Sequence, residues 1–369
     1  MGILFCYNVP MKRRSLLRFL GAIPFMKTEL LIPKAEPMIK KITPIELHWP
    51  VQEPFLFCAH HNDHYPAGND KLGLNPTHFA GRDMGSDFHG KDGFSIYHGA
   101  EIPGFPVHPH RGFETITIVR KGFADHADSL GSSGRYGEGD VQWMTAGAGV
   151  QHSEMFPLLH KDKDNTLELF QIWLNLPKKN KMVQPDFKML WSGDIPKIKK
   201  DRVEVSVISG EFDETKFYQA PKNSWAADTE NQVNILLVKM EKGGKFSYPS
   251  KNGLNRSVYF FEGSGATLNG QKINGKQGLF LESDTEFSIL ADSTLEFLIL
   301  EGKPIGEPVF QHGPFVMNSR EDIVQTIRDY QMTQFGGWKW QRHDMIHGPG
   351  TERFAKYPDG RIEKPKALS

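Results

Sequence analysis

Four residues in two short motifs have the types and the spacing needed to bind a metal ion. His108 and His110 are separated by one residue, as are His152 and Glu154, and both motifs lie in runs typical of β-strands. Side chains at positions i and i+2 of a strand point to the same face, so each pair can direct its donor atoms to one point. Three neutral imidazoles and one carboxylate suit a first-row transition metal, with Fe, Mn, Ni, Cu and Zn all compatible. Such a set leaves one or two positions open, which is typical of a catalytic or ligand-sensing site.

The alternative is that these histidines are hydrogen-bonded core or surface residues, which a single His-x-His motif would favour. The second motif, close to glycine-containing turns, favours the metal site instead. Because Pro109 cannot donate a hydrogen bond to a neighbouring strand, the first motif is expected at a sheet edge or near a barrel mouth. Glu114 is a rival carboxylate, since it has the same strand parity as His108 and His110.

The elements that must position these residues form two strand-rich blocks, from about residue 43 to 176 and from about 183 to 302, separated by a polar break at 175–181. Their similar strand and glycine-turn patterns favour two antiparallel β-barrels over one large sheet. Twelve of the 15 histidines lie at or before His160 and none lies in 161–311, so only the first block can hold this kind of site. Ser319 is expected to cap a short helix over 320–331.

Composition and charge exclude several classes of protein. The 44 basic and 44 acidic residues balance, which argues against a general nucleic-acid-binding surface. Cys6 and Cys58 are too few for a disulfide framework, and Cys58 is expected to be a buried thiol. The absence of a long apolar run predicts no transmembrane segment. Residues 12–18 resemble a twin-arginine signal, so export to the periplasm is the alternative to the cytoplasm, which is favoured.

Several longer motifs in this chain resemble those of the pirins. The resemblance covers about 45–335 and rests on segments whose combination is highly specific: His108-Pro-His-Arg-Gly-Phe-Glu-Thr115, Asp128-Ser-Leu-Gly131, Gly139-Asp-Val-Gln-Trp-Met-Thr-Ala-Gly147, His152-Ser-Glu154 and Glu307-Pro-Val-Phe-Gln-His-Gly-Pro-Phe-Val-Met-Asn318. One departure is Ala148, at the position where the family usually has an arginine beside the site.

The resemblance implies an all-β fold of two tandem cupin barrels, a bicupin, followed by a short C-terminal helix and an irregular tail. Its implied divisions are a leader at 1–42, a metal-binding cupin at 43–180, a metal-free cupin at 181–318, and the helix and tail at 319–369. The family's ligand set falls on His108, His110, His152 and Glu154, with Glu114 close behind it. The implied metal is Fe(2+), with Mn, Ni, Cu, Co or Zn as alternatives.

The resemblance also implies an activity, that of a metal-dependent dioxygenase of the quercetin 2,3-dioxygenase type. Its substrates would be O2 and a flavonol or similar small aromatic, and Glu154 would be both ligand and base. Wall candidates are Phe105, Phe113, Trp143 and Met144, whose alternative role is barrel core. A regulator that binds a protein partner is the other implied function, and a purely structural metal is a third possibility. The chain is expected to be a monomer without direct nucleic-acid binding, and the His-rich segment 60–89 is expected to be a polar loop over the pocket rather than a second metal site.

Overall fold

Almost all regular structure is β-strand in the computed structural model of the protein, which describes residues 38–366. The strands of the first part are β1 (Ile39–Pro44), β2 (His48–Trp49), β3 (Phe55–Tyr65), β4 (Gly104–His110), β5 (Phe113–Lys121), β6 (Phe123–Asp128), β7 (Ser133–Gly137), β8 (Val141–Thr145), β9 (Val150–Met155), β10 (Asn165–Asn175), β11 (Asp186–Leu190), β12 (Lys197–Lys200) and β13 (Val203–Phe212). Those of the second part are β14 (Thr215–Phe217), β15 (Asn234–Met240), β16 (Lys245–Tyr248), β17 (Asn255–Glu262), β18 (Gly265–Leu268), β19 (Gln271–Asn274), β20 (Gln277–Leu281), β21 (Phe287–Ala291), β22 (Leu295–Gly302), β23 (Phe310–His312), β24 (Phe315–Met317), β25 (Phe354–Lys356) and β26 (Ile362–Glu363). The helices are α1 (Arg320–Thr333) and short 3-10 turns at Pro76–His78, Lys91–Gly93, Lys178–Asn180, Trp225–Ala227, Thr229–Asn231 and Gln334–Gly336.

The strands build two units of two sheets each, which confirms the expected all-β architecture. In the first unit one sheet has the order β11-β8-β5-β10-β3-β2, and the other has the order β26-β25-β7-β6-β9-β4. The second unit has an eight-stranded sheet, β1-β20-β17-β22-β15-β13-β12 with β14 beside β13, and a four-stranded sheet, β16-β21-β18-β19. Every ladder in these sheets is antiparallel, so short turns suffice to connect neighbouring strands.

The two units exchange strands near their boundaries. The strand β1, part of which falls in the predicted leader, pairs with β20 of the second unit. Beyond residue 180, β11 pairs with β8 of the first unit. Residues 38–366 therefore form one compact body.

The central strands of the first unit are buried on both faces, as β5 shows. Ile116 and Ile118 face the second unit and pack in one core with Ile235 and Leu298, while Val119 belongs to the separate core inside the first unit. Because side chains alternate along a strand, one strand contributes to both layers. Each fully buried isoleucine stabilises the junction by about 2 kcal/mol.

The helix α1 begins at the predicted cap. The Ser319 Oγ accepts a hydrogen bond from the Asp322 backbone N–H at 3.1 Å, and the acidic residues of the first turn favour the positive end of the helix dipole. Ile323 is buried against Phe315 and Met317 of β24. No helix within 38–366 is long and apolar enough to cross a membrane. The predicted signal at 12–18 and Cys6 lie outside the described residues.

The segment after α1 lies across the first unit. It contributes β25, which pairs with β7, and β26. The carbonyl of His343 accepts a hydrogen bond from the Val107 backbone N–H at 2.8 Å. The Arg135 side chain, paired with Asp125 at 2.6 Å, also donates to the backbone carbonyl of Gly348 at 2.9 Å. This tail is thus an integral part of the sheet that carries the histidine motifs.

Candidate metal centre

The two histidine motifs lie on neighbouring strands of one sheet. In the β4–β9 ladder, His108 is the cross-strand partner of His152, and Pro109 is opposite Gln151. The strand β4 is the last in its sheet, so the predicted edge position of Pro109 is confirmed. Alternation along β4 brings the His110 side chain to the same face as His108.

The three imidazoles form a tight cluster. One ligand nitrogen from each of His108, His110 and His152 lies within 4.8 Å of the others. The ring centroids of His108 and His152 are 4.4 Å apart, and those of His110 and His152 are 4.9 Å apart. Among residues 38–366 this is the one group of three or more His, Cys, Asp or Glu side chains that are close enough together to hold a metal ion.

Burial keeps the histidines neutral, which is the form that binds metals. His152 is fully buried, and its pKa lies well below the ordinary value because of that burial and because His108 and His110 are close. The pKa of His110 is lowered in the same way by burial and by His108. A neutral imidazole has one nitrogen lone pair free to bind a cation.

The hydrogen-bonding state of these rings fits a metal ligand set. Both ring nitrogens of His152 are buried without a partner among the described residues, as is Nδ1 of His110. The Nδ1 of His108 lies 2.9 Å from the carbonyl oxygen of Pro106, so this nitrogen carries the proton and Nε2 has the lone pair. Such an outer hydrogen bond is typical of metal-bound histidine. Imidazole donors suit Fe, Ni, Cu and Zn.

Glu154 lies beside this cluster, two residues after His152 on β9. Its Oε1 lies 2.8 Å from the Thr117 hydroxyl and accepts a hydrogen bond from the Tyr136 hydroxyl at 3.1 Å. Its Oε2 accepts a hydrogen bond from the Gln171 amide at 2.9 Å. The carboxylate is therefore fixed in place on the wall of the cavity that His108 also lines. Its role as a fourth ligand stays a prediction.

Glu114 points away from the histidines, so the strand-parity argument for it was wrong. The turn at Gly112 separates β4 from β5, and parity does not carry across a turn. Its carboxyl accepts hydrogen bonds from Thr145 at 2.6 Å and from Ser224 of the second unit at 2.5 Å. Burial raises the pKa of Glu114 to about 7, although these hydrogen bonds act in the opposite direction.

His126 is a neighbour of the cluster that sequence reasoning missed. It is fully buried on β6, and its ring centroid lies 5.5 Å from that of His152. Its Nε2 lies 3.2 Å from an Asp128 carboxylate oxygen, and its backbone carbonyl is 2.8 Å from His347 Nε2 in the tail. The His-x-Asp spacing on one strand face was the available signal. The His126 ring therefore packs beside the His152 ring in the interior of the first unit.

A cavity of about 310 Å³ opens onto His108 and His110, and five of its 16 lining residues are Phe or Trp. This volume is at the small end of the range for ligand pockets. The apolar wall consists of Phe57, Phe88, Phe105, Pro106, Phe156, Leu169, Trp173 and Pro314, and the polar residues are His48, His61, His98, Thr117, Gln171 and Glu154 with His108 and His110. Of the predicted wall residues, Phe105 lines the cavity, whereas Phe113, Trp143 and Met144 are buried outside it.

The segment 60–89 is only in part the loop that was expected, because it begins within β3 and contributes His61 and Phe88 to the cavity wall, whereas most of residues 75–86 are exposed. Asp63, on β3, is 3% exposed, and its carboxylate accepts hydrogen bonds from the Ser95 backbone N–H at 2.8 Å and the Tyr97 hydroxyl at 2.6 Å. Asp87 is 1% exposed and pairs with Arg82 at 2.8 Å. These buried contacts hold the segment against the cavity.

Comparison with known proteins agrees with this geometry. Residues 75–174 match the family model described as Pirin, and residues 235–336 match the Pirin C-terminal cupin domain. A pirin-like protein of Solanum lycopersicum is 37% identical over 249 residues, which are 66% of this chain and 80% of that protein. The chain belongs to the pirin family. Both of its β units are accordingly cupin domains.

Two further similar proteins are named after an enzyme, and a third is named pirin. A Pseudomonas aeruginosa protein named "Putative quercetin 2,3-dioxygenase" is 36% identical over 234 residues, covering 62% of this chain and 79% of that protein. The crystal structure of quercetin 2,3-dioxygenase from Acinetobacter baumannii superposes with a TM-score of 0.65 at 28% identity, covering 81% of this chain and 98% of the other. Pirin of Homo sapiens is 36% identical over 251 residues, covering 66% of this chain and 81% of that protein.

Proposed function

We propose that this pirin is an Fe(II)-dependent dioxygenase of the quercetin 2,3-dioxygenase type, acting on a flavonol or a similar small aromatic. The observation that carries the proposal is one cavity that combines two histidines of the cluster, His108 and His110, with a fixed carboxylate and several aromatic side chains. A purely structural metal would need neither the cavity nor the aromatic wall. The similarity to proteins named quercetin 2,3-dioxygenase supports the substrate class.

The cavity wall suits a flat aromatic substrate. Trp173 lies edge-on to the His110 ring at 5.5 Å, and Phe105 lies 6.3 Å from His108. Aromatic side chains at these distances can stack on a planar ligand while its polar end faces the histidines. The same side chains exclude water from the reacting end of the ligand. A bound Fe(II) would supply Lewis acidity and redox chemistry with O2.

Glu154 is placed to accept the proton of a substrate hydroxyl. The Thr117 hydroxyl has a single proton, yet it lies 2.8 Å from Glu154 Oε1 and 2.5 Å from Gln171 Oε1. When Glu154 Oε1 carries a proton, it can donate a hydrogen bond to the Thr117 hydroxyl. The Thr117 hydroxyl then donates its own hydrogen bond to Gln171 Oε1, so all three oxygens are paired. The neighbours of Glu154 therefore accommodate its protonated form, as a general base requires.

The test is anaerobic Fe(II) loading followed by addition of quercetin and O2, with detection of CO. We expect turnover with CO release by the wild type and none by His108→Ala. Glu154→Gln should lose at least about 100-fold in kcat, since proton transfer by a positioned side chain commonly contributes that much. Measured Fe content separates loss of metal from loss of the base. Stoichiometric Fe(II) binding without quercetin turnover would refute quercetin as the substrate.

A second candidate function is metal-dependent regulation through a protein partner. Phe310 on β23 and Val324 on α1 are 44% and 42% exposed, and these two elements pack together. Exposed apolar groups of this kind suit a protein contact better than a nucleic-acid contact. This candidate predicts Fe(II) binding without turnover of any small aromatic, together with a surface whose binding changes when the metal is removed.

A further inference from the structure

His61 is a buried polar residue inside the cavity that the proposed chemistry does not use. It lies on β3, where alternate side chains face opposite sides of the sheet. His60 faces the second unit and stacks on Phe170 at 4.5 Å, whereas His61 faces the cavity and is 5% exposed. It precedes the residues that match the pirin family model.

The His61 ring contacts aromatic edges, and no residue within 38–366 hydrogen bonds to its side chain. It lies edge-on to Tyr97 at 4.8 Å and to Phe105 at 6.0 Å. Its Nδ1 is buried without a partner among the residues that the structure describes. Burial, together with nearby His60 and His48, lowers the pKa of His61 to about 3. The ring is therefore neutral near pH 7, with one donor and one acceptor nitrogen. A buried polar group left unpaired is unfavourable, so its presence here points to a ligand group.

The position of His61 is set apart from the histidine cluster. The Phe105 ring is a neighbour of both, since its centroid lies 6.0 Å from that of the His61 ring and 6.3 Å from that of the His108 ring. In the β3–β10 ladder His61 is opposite Leu169, two residues before Gln171, which contacts Glu154. Two residues along a strand correspond to about 7 Å. A ligand that contacts both His61 and Glu154 is therefore expected to span roughly this distance, which is about the width of one aromatic ring.

We propose that His61 determines substrate specificity by hydrogen bonding to a phenolic hydroxyl on the part of the substrate remote from the metal. This inference rests on the proposed function. It narrows the substrate class to polyphenols that carry a metal-binding hydroxy-ketone and a further ring hydroxyl separated by an aromatic ring. An aromatic ligand without that hydroxyl leaves His61 unpaired and binds more weakly.

The test measures the dissociation constants of quercetin and of 3-hydroxyflavone on Fe(II)-loaded protein under nitrogen. Both ligands have the metal-binding hydroxy-ketone, but 3-hydroxyflavone lacks the other ring hydroxyls. We expect the wild type to prefer quercetin, and His61→Phe to reduce that preference about tenfold, which is the effect of one buried hydrogen bond. His61→Gln, which can still form a hydrogen bond, should retain most of it. His64→Phe, at an exposed position on the same strand, is the matched control and should change nothing.

The outcomes distinguish this proposal from the proposed function. A wild type that binds both ligands equally, or a His61→Phe variant that weakens both equally, refutes the role of His61 alone. A wild type that binds Fe(II) but neither flavonol refutes the proposed function and this inference with it. Because the wild-type comparison needs no variant, equal binding of the two ligands would refute the role of His61 even if His61→Phe does not fold, and His61→Gln then supplies the second variant.

Discussion

Replacing Glu114 with glutamine is expected to stabilise the protein in mildly alkaline buffer and not in mildly acidic buffer. The carboxyl is fully buried at the junction of the two cupin domains, where it accepts hydrogen bonds from the Thr145 and Ser224 hydroxyls. No cationic side chain within 38–366 forms an ion pair with it. Glutamine has the shape of the protonated carboxyl and no charge. Comparing the variant with the wild type therefore measures how much the ionised Glu114 carboxylate lowers the free energy of unfolding.

The sign follows from the pKa of Glu114, which burial raises from 4.5 to about 7 in the folded protein. Between these values the folded protein keeps a proton that the unfolded chain releases, so the free energy of unfolding falls as the pH rises from about 4.5 to about 7. The whole difference corresponds to about 3 kcal/mol. Above pH 7 the loss is complete and Glu114→Gln should exceed the wild type by up to that amount. Below about pH 5 the two should be equal within about 1 kcal/mol, the value of one altered hydrogen bond.

The assay is the melting temperature of wild type and Glu114→Gln from pH 5 to pH 9 without metal. A gain of about 3 kcal/mol should raise the melting temperature by on the order of 5 °C at pH 8. Glu168→Gln is a control of opposite sign. Burial would raise the pKa of Glu168, but the His60 hydrogen bond and the charges of Arg120 and Lys121 lower it to about 2, so this carboxylate stabilises the fold above about pH 4.5. Its replacement should lower the melting temperature at pH 8.

A difference between wild type and Glu114→Gln that is the same at every pH would refute the reasoning, because a lost hydrogen bond alone has no such pH dependence. The exposed replacement Glu262→Gln should leave the melting temperature unchanged throughout.

Three further predictions concern the metal centre and the tail. His152→Ala should weaken Fe(II) binding at least about 100-fold, since it removes the most buried ligand of the cluster, and isothermal titration measures the affinity. Gln171→Leu should lower kcat/KM for quercetin about 10- to 100-fold while Fe content stays unchanged, because Glu154 loses one of its donors. Arg135→Met should destabilise the fold by about 3–5 kcal/mol in urea unfolding, since it leaves Asp125 charged and unpaired in a buried site.

Each of these predictions has an outcome that contradicts it. Full Fe(II) affinity in His152→Ala would remove that residue from the ligand set. Loss of iron in Gln171→Leu would mean that Gln171 supports the metal rather than the base. Unfolding of Arg135→Met at the same urea concentration as Arg361→Met, a change at an exposed position, would mean that the Arg135–Asp125 pair contributes little.

The sequence was sufficient wherever the decisive interactions are local. His108 and His110 share one strand, so alternation alone predicts that their side chains converge. Ser319 forms its cap with a residue three positions away, and the predicted helix is present. The pirin resemblance added the two cupin domains, which the family matches confirm.

Sequence reasoning failed where the answer depends on which of two buried faces a side chain occupies. Phe113 and Trp143 were chosen as wall candidates, but both faces of their strands are buried, so hydrophobicity does not identify the cavity side. The wall residues Phe57 and Trp173 lie on β3 and β10, whose register is set by pairing over a long sequence separation. Glu114 was misplaced because a turn at Gly112 interrupts the alternation.

The pairing of the tail with the first cupin domain has a consequence for the protein during its synthesis. All of the histidines of the cluster have been translated by residue 152, but β7, which pairs with β6 on one side, acquires its second partner only when residues 354–356 are made. At typical elongation rates this interval is on the order of ten seconds or more. Throughout it, the nascent chain exposes an unpaired strand edge and lacks the His343 contact to β4. The finished metal centre thus depends on tail residues that are translated long after its last histidine, and not only on the domain that first emerges from the ribosome.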